Sequence, residues 1–289
     1  MKEIDRAFFN ICSLIIDAET LPQSYQPFLV NGIDSIKADL TIRRVEKKMD
    51  FGFFSKVIEL PYMNIWKSNI IDSETHWLFE ARNGMCMVSV DKNYNRAEYW
   101  YSNVLSFLDE EEIRDVLSPY YQVVLECKLV QRGISILHSS CIAIDGNAYA
   151  FVGPSGVGKS TRAKKWCELL SAEFISGDRP AIDTKKRIVY GVPWDGKEKI
   201  YKNVSFPLAC LFKIIRSKTT RIERMKDADK LQLLCEQSFI PLWDTELAAN
   251  SIYYFKRLIN SVPIFQLYCD ITDESTYSAY AIAKGLLLK

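Results

Sequence analysis

The sequence predicts an α/β protein in which a phosphate-loop domain with a mixed sheet follows a smaller, β-rich α+β domain at the N-terminus. Two observations carry this prediction. A glycine-rich stretch at 153–161 lies between a short apolar run, 148–152, and a segment with helical spacing that ends at Leu170. Up to about residue 118, short strand-like runs alternate with turn signals.

The N-terminal domain is predicted to span 1–118. Its strand-like runs are rich in β-forming residues and lie at 28–30, 40–42, 57–60, 77–81 and 86–90. Asn83-Gly84 between two of these runs predicts a hairpin. The segment 103–116 has helical spacing, and Pro119 predicts the first turn of a second helix that ends near Arg132. We place the boundary after 118 and expect this domain to recognise a substrate.

The composition argues against several classes of protein. The 289 residues are 48% hydrophobic and 25% charged with a net charge of +1, so no general attraction to nucleic acid is expected. No apolar run approaches the ~18 residues of a membrane span. The eight cysteines form no C-x-x-C pair. They therefore predict reduced, buried thiols in a cytoplasmic protein, and the two histidines lack the spacing of zinc ligands.

Residues 153–161 read G-P-S-G-V-G-K-S-T and match the phosphate-loop pattern G-x-x-x-x-G-K-[ST]. The predicted ligand is a nucleoside triphosphate with Mg²⁺. The residues expected to bind it are Gly153, Pro154, Ser155, Gly156, Val157, Gly158, Lys159, Ser160 and Thr161. Lys159 is expected on the β/γ-phosphates and Ser160 on the metal, at the positive end of the following helix. A glycine-rich turn without a ligand is the alternative, and the flanking strand and helix argue against it.

Two features near the loop add to this prediction. The segment 134–144 is a predicted strand region, and Asp145-Gly146-Asn147 predicts a hairpin, so the loop-bearing strand gains an antiparallel neighbour. Asp178 ends a predicted strand 19 positions after Lys159, and is therefore expected beside the loop at the carboxyl ends of the strands. There it can bind Mg²⁺ or accept a proton from a hydroxyl. An aspartate that caps a surface turn is the alternative.

The remaining chain is expected to complete the second domain, 119–289. Residues 191–199 combine glycines, Trp194 and charges, which is typical of a loop that closes over a ligand and equally of an exposed hairpin. The further predicted elements are a buried strand at 207–215, helices at 228–237 and 246–259, a strand at 263–269 and a last helix capped by Thr272.

Three features together resemble the catalytic domain of HPr kinase/phosphorylase. They are His138 followed by small residues, the loop G-P-S-G-V-G-K-S-T, and F-I-S-G-D-R at 174–179. The resemblance covers about 134–179. It is looser through 191–197, where the chain is similar to HPr-kinase-like proteins of peptide-modification systems, including kinases of lasso-peptide precursors. Residues 1–118 show no such likeness. The resemblance implies the nucleotide fold shared with phosphoenolpyruvate carboxykinase, and ATP with Mg²⁺ as the cofactors.

The resemblance also implies catalytic roles for His138, Lys159 and Asp178. His138 matches the family's active-site histidine near the phosphates, whereas spacing alone favours a structural histidine. Asp178 matches the second member of an Asp-Asp pair that binds metal and removes a proton, so Ser160 and Asp178 are the implied metal ligands. Gly177 stands where the family has the first aspartate. Either another group, such as Asp195, supplies the missing function, or catalysis is weak.

The leading prediction is an ATP-dependent kinase that phosphorylates a Ser or Thr hydroxyl of a peptide or small protein. The alternative is a non-catalytic nucleotide-binding regulatory or scaffold protein of a peptide-modification system, which the glycine at 177 favours. Neither nucleic acid nor a membrane is an expected partner. Self-association of the chain is left open.

Overall fold

The computed structural model describes residues 6–19, 21–32, 36–70, 73–194 and 196–287. Its contacts divide the chain into two compact units. Unit 1 consists of Met1–Leu129 with Pro241–Thr245, and unit 2 consists of Val130–Ile240 with Glu246–Lys289.

Unit 1 is built on a mixed sheet that has nine strands among the described residues. The strands are β1 (Ala7–Ile11), β2 (Leu14–Ala18), β3 (Leu29–Val30), β4 (Leu40–Arg44), β5 (Phe54–Glu59), β6 (Met63–Ser68), β7 (Trp77–Ala81), β8 (Cys86–Val90) and β9 (Arg96–Tyr101). Their order is β3-β1-β2-β4-β9-β8-β7-β6-β5. Strand β4 runs parallel to β2 and β9. The hairpin expected at Asn83-Gly84 is confirmed, because β7 and β8 pair antiparallel across it.

A 3₁₀ turn (Asn103–Phe107) and one long helix, α1 (Glu110–Gln131), follow the sheet. The expectation of two helices separated at Pro119 is wrong, since α1 runs through that proline. Proline removes one hydrogen bond to the carbonyl four residues earlier, and here that residue, Asp115, is exposed to solvent. Beyond the proline, α1 has a buried face in which the Tyr121 ring packs edge-on against Tyr99, and this packing stabilises the helix. Helix α1 spans both the expected boundary at 118/119 and the division after Leu129.

Unit 2 contains the phosphate loop and a second mixed sheet. Its elements are β10 (Ile134–Ile136), β11 (Ser139–Ile144), β12 (Asn147–Val152), α2 (Lys159–Leu170), β13 (Glu173–Ser176), β14 (Ala181–Asp183), β15 (Ile188–Tyr190), β16 (Ser205–Arg216), β17 (Arg221–Arg224), α3 (Asp227–Gln237), α4 (Thr245–Ser261), β18 (Ile264–Cys269) and α5 (Asp273–Leu287). The order is β10-β14-β15-β16-β12-β11-β13, with β18 also paired to β16 and β17. Strand β16 runs parallel to β12 and β18.

Alternation along β12 explains why helices cover both faces of this sheet. Ala148, Ala150 and Val152 point to one side and join a buried cluster with residues of α3 and α4, such as Leu233 and Phe255. Tyr149 and Phe151 point to the other side and pack with Trp166 of α2 and Ala279 of α5. The result is three layers, helix on sheet on helix.

The coarse prediction of an α/β fold with mixed sheets is confirmed by these two units. The hairpin at Asp145-Gly146 is present, with both residues at positive φ as a tight turn between twisted strands requires. The cap at Thr272 is also present, because its hydroxyl accepts the Ser275 N–H at 3.2 Å. No helix in the described part of the chain is long and apolar enough to cross a bilayer.

In the described part of the chain, none of the eight cysteines forms a disulfide. Six are buried and two, Cys167 and Cys235, are half-buried. Burial raises the pKa of the Cys86 thiol to about 11, and it raises the pKa of Cys141 and Cys210 well above the ordinary value. Thiols with raised pKa values are poor nucleophiles and metal ligands at neutral pH, so these side chains act as small core residues.

Candidate functional site

The phosphate loop connects β12 directly to α2. Gly156 and Gly158 have φ values of 77° and 113°, a conformation that only glycine adopts without strain. They turn the chain sharply between Val152 and the first residue of the helix. The loop therefore leads directly into the N-terminus of α2. At a helix N-terminus, unpaired backbone N–H groups and the helix dipole favour an anion.

Lys159, the first residue of α2, lies over the loop and is 6% exposed. Its ammonium donates to the carbonyl oxygens of Gly153 at 2.8 Å and Pro154 at 3.2 Å. Burial lowers the pKa of Lys159 from its ordinary value of 10.5, while the charge of Asp178 acts in the opposite direction. An ammonium group is a charged hydrogen-bond donor of the kind that binds phosphate oxygens.

Ser160 lies in a small network of hydroxyls. The Ser140 hydroxyl donates to the Gly177 carbonyl oxygen at 2.8 Å and lies 3.2 Å from the Ser160 hydroxyl. Ser160 Oγ is also 3.4 Å from the same carbonyl oxygen. Ser140 therefore ties the first turn of α2 to the end of β13, a connection that the sequence analysis did not identify.

The sheet order explains how His138 and Asp178 come together beside the loop. Strand β11 lies between β12 and β13 and runs antiparallel to both, so its N-terminal end adjoins their C-terminal ends. His138 immediately precedes β11, and Asp178 follows β13. The Ser139 N–H donates to the Asp178 carbonyl oxygen at 2.7 Å, which fixes the two segments side by side.

His138 Nε2 lies 3.2 Å from Asp178 Oδ1, within hydrogen-bond distance. The side chains are 38% and 35% exposed, so both remain accessible to a ligand. Burial lowers the pKa of His138 from its ordinary value of 6.5, the charge of Lys159 lowers it further, and the Asp178 carboxylate opposes both. The neutral imidazole is therefore favoured at neutral pH, with its Nε2–H donated to the carboxylate.

A second loop, which includes residues 196–198, approaches His138 and Asp178. A Cβ atom added to Gly196 would lie 3.0 Å from Asp178 Cβ, so the loop backbone passes close to that side chain. A Cβ atom added to Gly177 would lie 2.5 Å from Glu198 Oε2. Glu198 is thus the acidic side chain next to Gly177. Asp195, which the sequence analysis suggested for this purpose, lies outside the described residues.

These residues line one cleft of about 330 Å³. Its lining residues are His138, Ser155, Gly156, Gly158, Lys159, Ser160, Thr161, Gly177, Asp178, Gly196, Lys197 and Glu198. Of the predicted binding residues, Gly153, Pro154 and Val157 are not part of this lining. Gly153 and Pro154 instead offer their carbonyl oxygens to Lys159, and the Val157 side chain packs against the α2 side of the core.

Two further clefts adjoin the first one. A cleft of about 620 Å³ lies on the other side of the loop, and Ile214, Arg216 and Ile271 are among its lining residues. The Arg216 guanidinium donates to the carbonyl oxygens of Gly156 and Val157, so it holds the loop from that side. The third cleft, about 330 Å³, lies beyond His138 and Asp178, which belong to both this cleft and the first.

The signal that could have revealed Glu198 is weak in the sequence. It lies in a loop segment with several charged residues, 21 positions after Gly177, the residue that it approaches. Among the described residues, no group of three or more His, Cys, Asp or Glu side chains forms a ready metal site. A comparison with protein-family models finds no match, and no curated protein is significantly similar to this chain.

Proposed function

We propose that this protein is an ATP-dependent kinase that transfers the γ-phosphoryl group to a Ser or Thr hydroxyl of a peptide or small protein. The observation that carries the proposal is the meeting of four predicted residues, His138, Lys159, Ser160 and Asp178, in one cleft. The antiparallel β11 beside the loop-bearing strand supports a fold of the type found in HPr kinase and phosphoenolpyruvate carboxykinase.

The nucleotide would lie across the loop. Its β- and γ-phosphates would occupy the 330 Å³ cleft, next to the Lys159 ammonium and the N-terminus of α2. The nucleoside would extend into the larger cleft on the other side of Thr161, which has room for a base and a ribose. Arg216 would keep the loop closed between the two.

Magnesium fits the oxygen groups that this cleft offers. Mg²⁺ prefers hydroxyl and carboxylate oxygens and keeps several waters. The Ser160 hydroxyl and the Asp178 carboxylate are of this kind, and the triphosphate would supply further oxygens. When bound, the ion neutralises charge on the phosphates.

The remaining catalytic roles would belong to residues of this chain. Lys159 would neutralise the charge that spreads over the transferring group, and the loop N–H groups would hold it in line. A bond forms between the acceptor oxygen and the γ-phosphorus as the bond to the β,γ-bridging oxygen breaks. When it is not bound to the metal, Asp178 would accept the acceptor's proton. His138 would orient Asp178 through the 3.2 Å contact between Nε2 and Oδ1.

The acceptor would enter through the third cleft, because only His138 and Asp178 are shared between it and the phosphate cleft. Its lining includes Glu236, Gln237, Ser238 and Phe239, at and just after the C-terminal end of α3. An acceptor hydroxyl placed there would reach the base from the side opposite the loop.

The test is transfer of radiolabel from [γ-³²P]ATP with Mg²⁺ to an arrayed library of Ser- and Thr-containing peptides. We expect labelled peptides with the wild-type protein and at least ~100-fold less with Asp178→Asn. Asp229→Asn, an exposed aspartate on α3, is the matched control and should leave labelling unchanged. Nucleotide binding without transfer to any peptide or to water would instead favour the scaffold alternative.

A further inference from the structure

Two cationic side chains hold carbonyl oxygens of the phosphate loop. Lys159 holds those of the first two loop residues, as described above. The Arg216 guanidinium donates from Nη2 to the Gly156 carbonyl oxygen at 2.5 Å and from Nε to that of Val157 at 3.3 Å. Four carbonyl groups of the loop therefore face side-chain donors, which leaves its N–H groups as the ones to consider for an anion.

The sheet places Arg216 beside the loop. Strand β16 runs parallel to β12, and its Lys213 pairs with Val152, the last residue before the loop. Arg216 ends β16 three residues later. It lines the cleft of about 620 Å³ but not the cleft of about 330 Å³ that contains Lys159. The guanidinium therefore contacts the loop from the side of the larger cleft.

The contact with Val157 fixes the direction of one backbone N–H group. In a trans peptide, the C=O of one residue and the N–H of the next point in opposite directions. Because Arg216 holds the Val157 carbonyl oxygen, the Gly158 N–H points away from Arg216, and Gly158 also lines the phosphate cleft. The Val157 N–H is already used within the turn, since it lies 3.3 Å from the Pro154 carbonyl oxygen. Together with the N–H groups at the start of α2, the Gly158 N–H can form a concave anion site.

Arg216 would keep this role when a nucleotide binds, whereas Lys159 would not. The Lys159 ammonium would turn to the phosphates and release its two loop carbonyl oxygens. Arg216 approaches from the other cleft, so its bonds do not compete with a phosphate. A guanidinium presents several donors in one rigid plane, which suits two consecutive carbonyl oxygens.

We propose that Arg216 is a positioning residue that presets the loop N–H groups for a triphosphate. It would thus determine affinity for the phosphates, and not for the nucleoside whose cleft it lines. This inference rests on the nucleotide binding proposed above and does not depend on the identity of the acceptor.

The first test compares two probes by calorimetry in the presence of Mg²⁺. One is the non-hydrolysable analogue adenosine 5′-(β,γ-imido)triphosphate, and the other is inorganic tripolyphosphate, which has no nucleoside. We expect Arg216→Ala to weaken both by the same factor, ~10–100-fold, which corresponds to the loss of about one charge-assisted hydrogen bond. Arg221→Ala is the matched control, because Arg221 is an exposed arginine on β17 that pairs with Glu223 at 2.7 Å. Its affinity for both probes should stay within ~2-fold of wild type.

The second test separates geometry from charge. Arg216→Lys keeps the positive charge but cannot hold two consecutive carbonyl oxygens in one plane. We expect it to lose most of the affinity that Arg216→Ala loses. Amide hydrogen exchange at Gly158, measured without nucleotide, should be faster in both variants and unchanged in Arg221→Ala. Full recovery of affinity in Arg216→Lys would overturn the inference, because charge alone would then explain the effect.

The outcomes separate the two proposals. Weaker binding of the nucleotide analogue with unchanged binding of tripolyphosphate would assign Arg216 to the nucleoside and overturn the inference. Unchanged binding of both probes by Arg216→Ala would also overturn it and leave the kinase proposal standing. Equal weakening of both probes in a protein that transfers phosphate to no peptide would support the role of Arg216 and count against the kinase. A wild-type protein that binds neither probe would overturn both proposals.

Discussion

Replacing Lys159 by methionine tests the core of the proposed mechanism. Methionine keeps an unbranched apolar stem over the loop and removes the ammonium. In the structure that ammonium makes two hydrogen bonds to loop carbonyl oxygens, at 2.8 and 3.2 Å. The same donors are the ones that would turn to the phosphates when nucleotide binds.

The magnitude follows from those two bonds. A hydrogen bond from a charged group contributes about 1.5–3 kcal/mol, so two of them on the transferring phosphate contribute about 3–6 kcal/mol. Since about 1.4 kcal/mol corresponds to a tenfold change in rate, we expect Lys159→Met to slow transfer by ~10²–10⁴-fold. The fold should survive. The lowered pKa of Lys159 means that its charged form is held less favourably in the folded than in the unfolded chain, which offsets the lost hydrogen bonds.

The assay is phosphate release or transfer from [γ-³²P]ATP, together with the melting temperature of each variant. Lys165→Met is the matched control, because Lys165 lies on the same helix and pairs with Asp273 at the surface. We expect the control to keep its rate within ~2-fold, as surface ion pairs contribute little. A Lys159→Met protein that melts normally and retains its rate would refute the reasoning.

Two further predictions concern pKa values and stability. In imidazole NMR titrations, both histidines should have pKa values below the ordinary 6.5. Lys159→Met should raise the pKa of His138, because a neighbouring positive charge is removed, and should leave the pKa of His76 unchanged. An unchanged pKa of His138 in this variant would contradict the proximity of Lys159 to His138. In urea denaturation, Gly191→Ala should lower the free energy of unfolding by about 3 kcal/mol or more, because its Cβ would overlap a neighbouring backbone carbonyl oxygen. Gly285→Ala, in open space on α5, should raise the free energy of unfolding by about 0.5–1 kcal/mol. Equal effects of the two substitutions would contradict the contact geometry.

The parts of the site that sequence predicted are those encoded locally. The phosphate loop is nine consecutive residues with fixed spacing, and Asp178 follows it by one helix and one strand. The hairpin at Asp145-Gly146 orders β11 next to β12, which brings His138 to the same end of the sheet. Each of these steps depends on short-range turn chemistry or on the alternation of a strand.

The parts that sequence missed depend on contacts between distant segments. Glu198 approaches Gly177 because of the path of a loop, and no spacing rule predicts that path. In unit 1, strands β1, β2, β6 and β9 were missed because charged or polar residues interrupt their apolar runs. Pairing with neighbours stabilises such strands where their own composition does not.

The five residues Pro241–Thr245 interrupt unit 2 but belong to unit 1. Trp243 packs edge-on against Phe79 at 5.8 Å between ring centroids, and the Tyr94 hydroxyl donates to Asp244 at 3.2 Å. During synthesis, the first 129 residues therefore leave the ribosome without the segment that completes their packing, and they must wait for more than a hundred further residues. A cut or truncation after residue 129 removes the contacts that Trp243 and Asp244 make with Phe79 and Tyr94, so unit 1 expressed alone lacks them.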